Sequence, residues 1–311
     1  MFPATCDEDG DLYIRKYASD RPMLGPIVKI DGDGKRVALF DPVAFSKLDL
    51  SRSDSFTPTS DGGLYQIAQM GVVKPQIYVL HYSSDGSASS PVKLDADFEV
   101  YSFAAFAGGN FLVSGLDRDV TNPKDRGKAT TAVFSADGRR LGTVSFAHAP
   151  HKNKTAISAG AISSGASKRQ AQPDALLEDT IVPLLDLSLA HAASDGNVYV
   201  LHPGPPAVVY VISPDGNVER SLKLKTDSGD DVFANAFQVS GNRLAVSLNK
   251  GKSDVQTIVV VDAQTGHPIA RYSIAADAGP MFACYSANES SFTFLELGEG
   301  NALQVIRAKA Q

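Results

Sequence analysis

The side chains able to do chemistry in this sequence are few and scattered. His148 and His151 stand three apart in "HAPH". Two histidines at that spacing can share a metal, but a zinc site needs further ligands in an ordered frame. Pro150 between them argues against a helix, so we read a loop pair with no metal. "DEDGD" at 7–11 and "DGDGK" at 31–35 superficially resemble calcium loops. A true calcium loop spaces its oxygen ligands and adds a later bidentate carboxylate. Both stretches coincide with turns that recur along the chain, and we read them as turn chemistry. No G-x-S-x-G elbow, phosphate-binding loop or dinucleotide fingerprint is present. Arg118, Lys124, Arg126 and Lys128 cluster, but Asp117, Asp119 and Asp125 interleave with them, which describes a solvated mixed-charge loop rather than an anion site. "NKT" at 153–155 and "NES" at 288–290 match the glycan acceptor pattern, which matters only in a secretory host. No catalytic residue, metal ligand or cofactor is assigned on this basis.

The elements that would position any site repeat. "SDGNVYVL" at 194–201 has variants in "DEDGDLYI" at 7–14, "SDGGLYQI" at 60–67 and "GGNFLVSG" at 108–115. Alignment on the apolar residue after each turn gives Leu12, Leu64, Phe111, Val198, Leu244 and Phe292. The intervals are 52, 47, 87, 46 and 48 residues. Each unit runs strand, tight turn, strand, loop, alternating strand such as "VVYVIS", second tight turn such as "SPDGN", and last strand. Gly reaches φ > 0 cheaply and Asp bonds nearby backbone, which suits both to these turns. Apolar–polar alternation marks half-buried strands. Four strands per unit, repeated six times, predicts an all-β six-bladed propeller of four-stranded antiparallel blades over a single domain, 1–311. The long interval places an insertion at 147–187 between blades 3 and 4, part of it mobile over 150–172. "PDALLEDTIVPLL" within it reads as a short helix. The last unit ends in "ALQVIRAKAQ", its third strand, so the last blade is expected to be incomplete.

The units "SDGNVYVL…VVYVISPDGNVERSLKL" resemble NHL-type and related six-bladed propeller repeats over most of the chain outside 147–187. That resemblance implies the fold. For function it implies only a range, from interaction scaffolds and sensors to lactonases and lyases.

Topology separates two faces. The tight turns share one face, expected to be a nearly flat polar rim. The loops between strands two and three, and those between blades, share the other. Long loops on a rigid scaffold are where binding usually resides. We therefore expect the site on the long-loop face near the channel mouth, on the side of blades 3 and 4. The candidate binding residues are Tyr17, Arg21, Arg118, His191, His202 and Lys250. Three functions compete. The first is a non-catalytic binding module for a protein, peptide or carbohydrate. The second is a propeller hydrolase or lyase with a metal at the channel mouth, for which Asp186, His191, Asn235 and the more distant Glu99 are the candidates. The third is a structural or cell-surface domain of a larger secreted protein.

A formal net charge of −6 over 311 residues argues against nucleic acid as partner. No run of eighteen or more apolar residues exists, so no membrane insertion is expected. "MFPATCDEDG" has neither a basic start nor an apolar core, so no signal peptide is visible. The incomplete last blade points to a trimmed N-terminus, hence a periplasmic or secreted chain whose leader is absent. A monomer is expected. Cys6 and Cys284 occupy equivalent parts of the first and last repeats. Two separate buried thiols and one disulfide pinning the ends together both remain open.

Overall fold

The computed structural model describes residues 4–72, 75–117, 127–146, 183–225, 229, 231–249, 255–275, 281–298 and 302–310. Of the insertion, 147–182 lie outside the described residues, as do the expected mobile stretch and almost all of the expected short helix.

Each repeat folds into one sheet whose strands pair in chain order. Blade 1 holds β1 (Ala4–Cys6), β2 (Leu12–Arg15), β3 (Ile27–Ile30) and β4 (Arg36–Phe40). Blade 2 holds β5 (Leu50–Pro58), β6 (Leu64–Met70), β7 (Gln76–Tyr82) and β8 (Val92–Lys93). Blade 3 holds β9 (Glu99–Ala105), β10 (Phe111–Asp117), β11 (Lys128–Phe134) and β12 (Arg140–Thr143). Blade 4 holds β13 (Ala190–Ala192), β14 (Val198–His202), β15 (Val208–Ile212) and β16 (Val218–Lys223). Blade 5 holds β17 (Phe233–Ser240), β18 (Arg243–Asn249), β19 (Val255–Asp262) and β20 (Pro268–Ala275). Blade 6 holds three strands, β21 (Met281–Ser286), β22 (Ser291–Leu297) and β23 (Leu303–Lys309). Two short 3-10 turns, Pro42–Phe45 and Leu187–Leu189, are the only helical pieces among the described residues.

The first strand of each sheet touches the first strand of the next, β1–β5–β9–β13–β17–β21, and β21 returns to β1. Six blades thus close around a central channel, and the fold is a six-bladed β-propeller. The aligned residues Leu12, Leu64, Phe111, Val198, Leu244 and Phe292 all lie buried near the start of their second strands. One apolar position per repeat is spent on the same packing task six times. The core is accordingly six wedges rather than one mass. Tyr13 and Phe40 of blade 1 pack with Leu64 and Tyr82 of blade 2, and Val209 and Val211 of blade 4 pack with Val246 and Val259 of blade 5.

The hairpin turns follow one local rule. In the turn 31–35, Asp31 Oδ1 accepts from the N–H of Asp33 at 3.0 Å and of Lys35 at 2.8 Å. Gly34 there sits at φ +81°, a region a β-carbon disfavours.

The seam between blades 6 and 1 differs from the others. Its buried core is small, built by Cys6, Leu12, Ile14, Cys284 and Leu295. Cys6 on β1 and Cys284 on β21 form a disulfide, with Cα atoms 5.8 Å apart across 278 residues of sequence. Of the two readings of the cysteines, pairing is the one realised. Arg307 on β23 adds a strap across the seam, donating to the Gly10 carbonyl at 3.1 Å. The incomplete last blade is present as expected. No fourth strand pairs with β23 among the described residues, and the charged Arg307 and Lys309 on that strand discourage edge-to-edge association. No helix among the described residues is long and apolar enough to cross a membrane.

Candidate functional site

In every blade the first strand runs toward the face that carries the tight turns. The ends of β1, β5, β9, β13 and β17 therefore converge around the channel mouth. They surround a cavity of about 580 Å³, lined by residues 6–9, 57–61, 105–107, 190–194 and 238–239 together with Tyr65 and His81. The turn face is thus concave rather than nearly flat. The reason is residue size: Ala105, Ala190, Ala192 and Ala193 at the strand ends leave space that larger side chains would fill.

The rim between blades 1 and 2 is organised by a buried polar cluster. Lys29 Nζ lies 3.2 Å from Asp7 Oδ2 and 3.0 Å from Asp11 Oδ2. Tyr13 Oη contacts the same Asp7 oxygen at 3.1 Å and the Gly62 carbonyl of the next blade's turn at 3.0 Å. Burial, and then the charge on Asp7, push the Tyr13 hydroxyl well above its ordinary pKa, so it stays protonated as a donor. Burial alone would discharge Lys29, but its bonds to Tyr13 and Asp11 outweigh that and hold it charged. In "DEDGD", then, an ammonium group occupies the place between carboxylates where a calcium ion would be sought. Among the described residues no group of three His, Cys, Asp or Glu side chains is placed to hold a metal.

Three carboxylates stand free of that cluster. Glu8 and Asp9 are exposed at the tip of the first turn. Asp61 sits at the tip of the second, and the Thr59 hydroxyl bonded to it holds its pKa below the usual carboxylate value. Across the mouth, Phe106 forms an apolar wall. Tyr65 stacks on His81 with ring centroids 4.6 Å apart. His191 packs edge-on against Phe237 at 4.9 Å. It keeps some surface toward the cavity yet is surrounded by protein. Burial lowers its pKa to about 4 against the opposing effect of its hydrogen bond to the Phe237 carbonyl, so it is neutral at pH 7. Gln238 is 2 % exposed; its amide nitrogen donates to the Val239 carbonyl at 3.2 Å and to the Cys6 carbonyl at 3.4 Å. Among the described residues its Oε1 has no hydrogen-bond partner.

Of the six residues singled out from the sequence, His191 lines this cavity. Tyr17 and Arg21 lie in the β2–β3 loop on the opposite face. Tyr17 is 69 % exposed. Arg21 is held in a two-pronged pair with Asp41, at 2.6 and 2.9 Å. His202 ends β14 on that same face, half-buried, and burial lowers its pKa. Arg118 and Lys250 lie outside the described residues. Of the metal candidates, Asp186, Asn235 and Glu99 do not line the cavity that His191 enters. Asp186 instead caps the 3-10 turn Leu187–Leu189, accepting from the Ser188 N–H at 3.0 Å. Glu8, Asp9, Asp61, Tyr65, His81 and Gln238 were not singled out. The available signal was positional: the two tip residues of each repeated turn point to the same rim.

No protein-family model matches the sequence, and no curated protein matches it. Solved structures match in overall shape. The β-propeller domain of the Trilobed protease from Pyrococcus furiosus aligns with a TM-score of 0.49 at 8 % identity, over 99 % of this chain and 81 % of that one. A luciferin-regenerating enzyme aligns at 0.48 and 11 % identity, over 99 % and 90 %. Dihydro-heme d1 dehydrogenase aligns at 0.46 and 14 % identity, over 97 % of this chain and 54 % of its own length, so the present chain spans about half of it. The chemistry of this chain rests on its own residues.

Proposed function

We propose that this chain works as one propeller unit, a binding module of NHL-type repeat grammar with no catalytic step of its own, whose long-loop face receives a protein, peptide or carbohydrate partner. The observation that carries this reading is where large apolar side chains stay exposed. Tyr17, Met23, Val43, Val72, Phe233 and Leu297 are all exposed, Val72 to 80 %, and all belong to connections or strand ends on that face. Val37, Leu141 and Ile269 are exposed as well, beside the turn-face hairpins, so the long-loop face holds the larger share of such groups rather than all of them. Exposed apolar groups clustered among polar neighbours are the usual mark of an interaction surface. The fixed blades beneath them supply the rigid support that such a surface needs. The disulfide supports an oxidising compartment, periplasmic or secreted, because such bonds persist there and are rare in the cytosol. The test is capture of a partner by the immobilised chain, followed by identification and titration. Replacing Tyr17, Met23 and Val72 together by Ser should cost that partner about tenfold or more in affinity. Asp215→Ala, on the turn face, should leave it unchanged. Loss through Asp215→Ala with retention by the triple variant would overturn the assignment.

A further inference from the structure

The turn-face cavity is separate from the surface just described, and its lining is chemically one-sided. Glu8, Asp9 and Asp61 bring three carboxylates to one edge, beyond Asp7 and Asp11, with which Lys29 is paired. No lysine or arginine is among the lining residues. The two imidazoles present, His81 and His191, stand against aromatic rings. On the wall, Gln238 Oε1 is a buried acceptor with no donor. An acceptor left unmet in a protein interior costs on the order of 1–3 kcal/mol, which an N–H donor from a ligand would relieve. Phe106, Ala105, Ala192, Ala193 and Val239 make the remaining surface apolar. The volume lies within the range of small-molecule pockets.

From this arrangement we propose a second binding site, specific for small organic cations: an amine or guanidinium head set among Glu8, Asp9 and Asp61, with an apolar body seated against Phe106 and the alanine floor. An anion would meet three carboxylates and no cationic partner. A neutral apolar molecule would leave the carboxylates and the Gln238 oxygen as they are. A cation carrying N–H donors serves both.

Three probes with one body and three charges test this on the intact chain by calorimetry: 2-phenylethylamine, 2-phenylethanol and phenylacetate. The amine should bind, the alcohol about fivefold or more weaker, and the acid not measurably. Glu8→Gln, Asp9→Asn and Asp61→Asn should each weaken the amine about two- to fivefold and leave the alcohol unchanged. Ser194→Trp and Ala107→Trp place a large ring at exposed rim positions that folding tolerates, and each should abolish amine binding. Nα-acetyl-lysine amide distinguishes the source of the cation. If it binds more tightly than phenylethylamine, the site accepts the same cation from a peptide side chain. The proposal fails if the amine does not bind at millimolar concentration. It fails equally if alcohol and amine bind alike, or if amine binding survives both rim tryptophans.

Discussion

On the turn face the first hairpins of blades 1 to 4 repeat one hydrogen bond. Gly10 donates its N–H to the Asp7 carbonyl, Gly62 to Thr59, Gly109 to Phe106 and Gly196 to Ala193, all at 2.9–3.1 Å. On the long-loop face the described connections differ in length and course, and the feature two of them share is an Asp-capped 3-10 turn, at Pro42–Phe45 and Leu187–Leu189. Blade 1 folds its loop through Arg21 and Asp41, while blades 1 and 2 are joined through a 3-10 turn at Pro42–Phe45. The regular face holds the concave cavity, and the irregular face exposes the larger share of apolar groups. Regular backbone thus does not imply an inert surface. Because the glycine and the carbonyl close the turn, the two tip residues between them can differ from blade to blade, although Asp61 and Asp195 still bond within their own turns. Blade 1 places Glu8 and Asp9 there, and blade 3 places Ala107 and Gly108. The rim is consequently acidic at blades 1 and 2, where Glu8, Asp9 and Asp61 stand, and uncharged at blade 3.

The contrast can be broken most strongly at the ring closure. Cys6 ends β1 just before the acidic turn, so the disulfide fixes both the seam and one edge of the cavity. Cys6→Ala with Cys284→Ala should lower unfolding stability by about 3–5 kcal/mol, the scale for a bond closing so long a loop. Urea midpoints read at unchanged slope measure it. If loss of the bond moves the midpoint by less than a few tenths molar, the remaining contacts, Arg307 to Gly10 among them, close the ring by themselves.

Ion pairs on the two faces give the next contrast. Lys29→Met leaves Asp7 and Asp11 buried without their counter-charge and should cost about 3 kcal/mol. Arg21→Ala on the loop face breaks a half-exposed pair, for which about 1 kcal/mol is expected. Its signature is acid sensitivity. Arg21, by its hydrogen bonds, holds the Asp41 pKa below the usual value, so the pair's contribution is present above the unfolded carboxylate pKa and fades as pH falls through the folded one. That fading should be missing from the variant.

An effect of similar size, seen only as pH falls, concerns His191. Its folded pKa of about 4 lies below the 6.5 of an unfolded histidine, so between those values the unfolded chain takes up a proton that the folded chain refuses. Stability contributed by the neutral ring is complete above pH 6.5 and drains away as pH falls toward 4. The loss should come to about 1–2 kcal/mol once the ring's opening toward the cavity is allowed for. His191→Gln should flatten the stability profile over that interval. An unchanged slope would mean that the ring is as well solvated folded as unfolded.

What could be read from the chain alone was whatever depends on near neighbours. The six aligned apolar residues follow turns only a few residues away, and alternation along a strand shows which side it buries. Blade number, strand order, the identity of the two faces and the short last blade all come from that local repetition. The cysteine pairing did not, because it turns on a Cα separation of 5.8 Å between residues 278 apart, a distance that exists only once the ring has closed. The cavity is of the same kind. Glu8, Asp61, Phe106, His191 and Gln238 come from five different blades; the repeated turns put Glu8 and Asp61 on one rim, but nothing local to His191 or Gln238 marks either as their neighbour. Closure of the ring brought the five strand ends around one mouth, and small side chains there decided that the mouth stayed open.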